Sequence, residues 1–94
     1  MEIQHRSGET KGSFFVEEEG SKLAEMTYSK LGSRSIIIDH TEVSDDLRGK
    51  NVGKQLVHRG IEFARENALT VIPLCPFAKS VIERDPSLQD VLKK

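Results

Sequence analysis

The chain has 94 residues, with 14 basic and 15 acidic side chains and a formal net charge of −1. It is therefore the length of one domain and lacks the cationic excess of a nucleic-acid-binding surface. No apolar run approaches the roughly 20 residues that cross a bilayer, and Met1-Glu2-Ile3-Gln4-His5-Arg6 lacks the apolar core of a signal peptide, which points to a soluble cytoplasmic protein with no membrane partner. Cys75, the single cysteine, has no partner for an internal disulfide, and His5, His40 and His58 lack the spacing of zinc ligands, so no metal is expected.

Residues 13–18 read as a strand, Glu19-Gly20 as a turn, and residues 21–29 as the second arm of a hairpin, in which Leu23, Glu25 and Thr27 alternate with Ala24, Met26 and Tyr28. The strand from residue 13 is expected at an open sheet edge, which is compatible with a monomer or a weak homodimer. After a break at residues 31–33, the β-branched start of residues 35–43 predicts a central strand covered on both faces. The period then changes. Val52, Leu56, Gly60, Ala64 and Ala68 recur every four residues, widened by Ile61 and Phe63, while Lys54, Gln55, His58, Arg59, Glu62, Arg65 and Glu66 take the wet side of a helix ending near Asn67. Residues 69–75 form a β-rich run in which Pro73 marks an edge or a point of divergence, and the strand–helix–strand order makes this strand parallel to the central one. Pro76 opens a second helix that Asp85-Pro86 ends, and Leu88 to Leu92 closes the chain with a short helical piece. His5 falls in a loose terminus and His58 on the wet helix face, so both read as surface residues.

The stretch from Val43 to Lys54 joins the central strand to the first helix. Helix starts favour acids, because their first amides are unpaired and the dipole is positive there. This one begins instead among Arg48, Lys50 and Lys54, with Gly49 and Gly53 allowing close approach to the backbone, which is the composition of a phosphate cradle.

The strand, the Arg48-Gly49-Lys50-Asn51-Val52-Gly53 turn and the helix, in this order, resemble the GNAT (GCN5-related N-acetyltransferase) superfamily, in particular its small single-domain members. The turn matches the pattern Arg/Gln-x-x-Gly-x-Gly/Ala with a valine five positions earlier at Val43. Asn51 stands where the first signature glycine is usual and is the next most tolerant residue for a left-handed backbone. The pattern Asn-x-x-Ala-x-x-Leu-Tyr falls on residues 75–82, where Ala78 matches, Cys75 replaces the asparagine and Ile82 the tyrosine that protonates the departing thiolate in many relatives. The resemblance covers about residues 13–84 and implies a minimal α/β (α+β) fold: antiparallel strands leading into a β-α-β crossover with a splayed parallel pair, then C-terminal helices. The family's first strand, its two long early helices and its last two strands are missing from this reading.

The resemblance further implies acetyl-CoA as acyl donor and an amine as acceptor. Its pyrophosphate would lie on the amides of Lys50, Asn51, Val52, Gly53 and Lys54, beside Arg48 and Gly49, and its pantetheine arm along Thr41 to Val43. Phe77 would line the cofactor and Lys79 would reach a phosphate or the adenine edge. An amine nucleophile needs a base for its ammonium proton. His40 or Glu42 can serve, and both share a face with Ile36 and Ile38 if the strand alternation is unbroken. Cys75, at a helix start, is either an acyl-carrying or proton-donating thiol or a small buried core residue. Two other functions stay open: a CoA-binding module with little or no turnover, and a general nucleotide or anion site. A P-loop is excluded, because Lys54 is followed by Gln55.

Overall fold

The computed structural model describes residues 2–92. A five-stranded sheet runs in chain order through β1 (Gln4–Ser7), β2 (Lys11–Glu18), β3 (Ser21–Leu31), β4 (Ser35–Val43) and β5 (Thr70–Pro73). The first four strands pair antiparallel; β5 returns parallel to β4 after helix α1 (Val52–Glu66), and α2 (Pro76–Glu83) follows it. Short 3-10 turns occupy Asp45–Leu47 and Pro86–Val91. This is the expected α+β arrangement with its crossover and C-terminal helices. No helix among the described residues is long and apolar enough to cross a membrane.

One face of the sheet presents Phe14, Met26, Tyr28, Ile36 and Ile38 to Leu56, Val57 and Ile61 of α1, and all are buried. Such burial contributes about 1.5–3 kcal/mol for each large side chain. Gly60 brings the helix close, since a Cβ there would lie 2.7 Å from Cε of Met26. Phe15 points the other way and is covered by Arg6 and Lys22, whose cationic groups lie 5.6 and 5.2 Å from its ring centroid.

The N-terminus departs from the loose segment expected of it. Gln4–Ser7 is a strand paired outside β2, so the strand through residue 13 is not the sheet edge and residue 5 is not in a loose terminus. All four residues of β1 are exposed, and polar Gln-His-Arg-Ser has no strand pattern to read. What fixes the strand is His5. Its ring stacks on Phe14 at 4.1 Å and 7°, meets Phe63 edge-on at 4.7 Å, and its Nε2 hydrogen-bonds the Tyr28 hydroxyl at 2.6 Å. Gly12, opposite Tyr28, makes room for that ring: a Cβ there would lie 2.4 Å from it.

The central strand is also less regular than its sequence implies. Thr27 pairs with His40 but Tyr28 pairs with Ile38, leaving Asp39 as an extra residue in a bulge. Beyond it the alternation inverts. Thr41 and Val43 oppose Met26 and Ala24 and share their core-side face, whereas His40 and Glu42 oppose Thr27 and Glu25 on the other. His40 and Glu42 therefore do not share a face with Ile36 and Ile38.

Although the residue is largely exposed, the packing of its ring against Phe14, Phe63 and Tyr28 partly desolvates the His5 imidazole and, with the positive charges of Arg59 and Lys30 nearby, holds it below its ordinary 6.5. The unfolded chain then takes up the proton first, so stability is full above about pH 6.5 and is lost as the pH falls through the folded-state value. Urea denaturation of the wild type against His5→Phe, which cannot titrate, should show this extra acid sensitivity in the wild type alone. His5→Ala at pH 8 should cost about 1–2 kcal/mol through the lost hydrogen bond and stacking.

Candidate functional site

The turn before α1 is built by two left-handed residues. Gly49 has φ of 84° and Asn51 has φ of 56° and ψ of 31°, so asparagine fills the left-handed position that its sequence context anticipated. Asn51 is the N-cap, yet its side chain makes no capping hydrogen bond and the first turn contains no acid. Gln55 Nε2 instead ties the Lys50 carbonyl at 3.1 Å, and the Lys50 amide donates to Leu47 at 3.2 Å. That removes Lys50 from the set of available amides. Those of Asn51, Val52, Gly53 and Lys54 donate to no acceptor among the described residues, which leaves the positive end of a 15-residue helix open to an anion. Lys50 and Lys54 are exposed beside it. Arg48 is exposed too but turns to Asp45, at 2.8 Å.

Next to this turn the sheet parts. The β4–β5 ladder runs from Ser35 opposite Thr70 to Ile38 opposite Pro73 and stops. The amides of Leu74 and Cys75 both donate to the Ile38 carbonyl, at 3.1 and 3.0 Å, as the chain leaves the sheet for α2. Residues 39–43 of β4 continue without a strand partner on that side among the described residues. Cys75 is buried here, and its Sγ donates to Thr41 Oγ1 at 3.4 Å across the gap.

Gap and cradle share an apolar rim. Val43, Phe77 and Leu74 are 38%, 44% and 65% exposed, and Val43 and Phe77 meet over Gly53. A Cβ on Gly53 would lie 2.8 Å from the Phe77 ring and 3.5 Å from Cγ2 of Val43, so the missing side chain is what lets Phe77 pack onto the first turn of α1.

The other residues divide around this centre. His40 Nε2 and Glu42 Oε1 are 2.9 Å apart and solvent-exposed, on the face of β4 opposite Thr41 and Val43, so the structure pairs them with each other and not with Cys75. Lys79 is exposed on α2. Ile82 is wholly buried in the core. His58 departs from its expected wet position: its Nε2 is buried and has no hydrogen-bond partner among the described residues. Sequence reasoning missed Leu74, whose exposure follows only from the departure of the chain at Pro73, and a depression of about 270 Å³ lined by Lys54, Phe77, Ser80, Val81, Arg84 and Asp85. Hydrogen bonds from Ser87 hold the Asp85 carboxyl below its usual range.

A family model described as GCN5-related N-acetyl-transferase matches residues 13–91. The chain belongs to the GCN5-related N-acetyltransferase (GNAT) family. A GCN5-like protein of Staphylococcus aureus, solved by NMR in solution, is 44% identical to this GNAT chain. It superposes with a TM-score of 0.73 over 98% of this chain and 87% of that one. Protein NATD1 of Bos taurus is 29% identical over 63 residues, 67% of this GNAT chain but 56% of the bovine protein, so the chain spans little more than half the length of that relative. The fold also matches AAC(6')-Iy in complex with the bisubstrate analogue CoA-S-monomethyl-acetylneamine, at 12% identity and a TM-score of 0.56 over 93% of this chain and 65% of that one.

Gly53→Ala should displace Phe77 and not unfold the protein, because the clashing atoms are the tip of a half-exposed ring. Alanine gains about 1 kcal/mol in helix propensity, which offsets most of an overpacking cost of about 1–3 kcal/mol. In a Phe77→Ala background the same substitution should be stabilising. A double-mutant cycle in urea reads the difference, and additive effects would mean that the ring and the glycine are not coupled.

Proposed function

We propose that this chain is a compact N-acetyltransferase that takes acetyl-CoA as acyl donor and a small or exposed amine as acceptor. The observation that carries this reading is the adjacency of two unsatisfied hydrogen-bonding surfaces. One is the amides of residues 51–54, with no acid in the first turn of α1; the other is the unpaired edge of β4 beyond Ile38. A diphosphate fits the first, with Lys50 and Lys54 neutralising it. An extended amide-containing arm fits the second as a substitute for the missing strand, with Val43, Leu74 and Phe77 as its apolar contacts. Membership of the GNAT family supports the same assignment.

In this reading the two faces of β4 divide the chemistry. His40, paired with Glu42, accepts the ammonium proton of the acceptor on the open face. The Cys75 thiol lies on the core side of the gap, where it can protonate the departing thiolate or carry the acyl group. A second reading, a CoA-binding module with little turnover, is favoured by Ile82. The position at which many relatives carry a tyrosine acid holds an apolar side chain sealed in the core.

Titration with acetyl-CoA, followed by backbone amide shifts, tests the donor site. Shifts should centre on residues 41–43, 51–54 and 75–79, and CoA should reproduce those of the cradle. ATP producing the same pattern with equal affinity would reduce the turn to a general anion site. Cys75→Ala and His40→Ala should each lower turnover about a hundredfold or more while acetyl-CoA affinity stays within a few-fold. Turnover unchanged in both variants would remove the proposed chemistry and leave binding alone.

A further inference from the structure

Cys75 is the N-cap of α2, with φ of −66° and ψ of 121°, but its side chain makes no capping hydrogen bond. An N-cap side chain ordinarily turns to the amides two and three residues on, here Phe77 and Ala78, since Pro76 has no N–H. The Cys75 sulfur turns the opposite way and donates to the Thr41 hydroxyl oxygen at 3.4 Å. Two orientations are thus open to the thiol, and only one places it in the gap. Thiols are weak donors and weak acceptors, so a single neighbouring hydroxyl is enough to choose between them. Thr41 is suited to that choice. It is β-branched and half-buried, so its hydroxyl has few rotamers, and the Asp39 bulge turns it to the core side that His40 would otherwise occupy.

We propose that Thr41 is a positioning residue, whose hydroxyl holds the Cys75 sulfur in the gap between β4 and β5 and away from the first turn of α2. The inference deepens the acetyltransferase reading, on which its consequence for turnover rests: the side chain of Thr41 becomes a requirement of the reaction. Its main-chain groups would serve the donor whatever the side chain.

Cys75 is the single cysteine, so alkylation by iodoacetamide reports on one thiol. Thr41→Val keeps the shape and removes the hydroxyl; it should slow alkylation about five- to tenfold and move the Phe77 and Ala78 amide resonances. Thr41→Ser should restore both. Acetyl transfer by Thr41→Val should lose kcat by a similar factor, with KM for acetyl-CoA within about twofold. Should the valine variant fail to give a native melting transition, Thr41→Ala is measured in its place. An alkylation rate within twofold of wild type in the variant without the hydroxyl, or no recovery in Thr41→Ser, overturns the proposal. If the alkylation and amide effects appear as stated but the wild type transfers no acetyl group to any amine, the positioning stands and the enzymatic reading falls.

Discussion

The Ile38 carbonyl accepts hydrogen bonds from two successive amides, those of Leu74 and Cys75, and this shared acceptor ends the parallel ladder. Leu74 donates as a regular ladder requires, but Cys75 takes the same acceptor instead of moving on along β4, so no pairing extends past Ile38. The chain turns into α2 while β4 runs on to Val43 with one edge free. Backbone groups are rarely left without partners inside a fold, and here a stretch of strand edge opens directly beside a helix N-terminus in the same condition. The gap, the exposed rim of Val43, Leu74 and Phe77, and the placement of Cys75 all follow from that one divergence.

A chain this short has few elements to spend on a site, and the bulge at Asp39 lets one strand serve on both faces. Before it, β4 is core: Ile36 and Ile38 seal the sheet against the helices. After it, alternate residues split between the core-side gap, reached by Thr41 and Val43, and the open face, reached by His40 and Glu42. A bulge near the end of a strand is a common means of re-aiming side chains next to a functional site. The burial pattern agrees, since the second half of β4 is mostly exposed.

Much of this was legible in the sequence, and the failures have physical causes. The hairpin, the central strand, both helices and the parallel return came from periodicity and turn chemistry, and the open helix start came from cations standing where acids are usual. The left-handed backbone at Asn51 was also within reach, because so few residue types tolerate it. By contrast, β1 is polar throughout and is held by the ring of His5 on partners in β2, β3 and α1, contacts that no local pattern encodes. The bulge escaped because one extra residue leaves no mark on composition while inverting every side chain after it. The spent Lys50 amide and the packing of Phe77 onto Gly53 likewise depend on tertiary placement.

The two margins of the sheet are closed in different ways. At one side β1 is only four residues long and wholly polar, a poor template for another chain. At the other, Leu92 forms a parallel bridge to Val71 just after the Pro86–Val91 turn, laying the end of the described chain along the outer edge of β5. That turn is fastened to α1 by Arg65, which bonds Asp90 and the Ser87 carbonyl. The C-terminal segment therefore acts as a selvedge. It occupies the strand edge that would otherwise invite pairing between copies, and it leaves open the inner margin between β4 and β5.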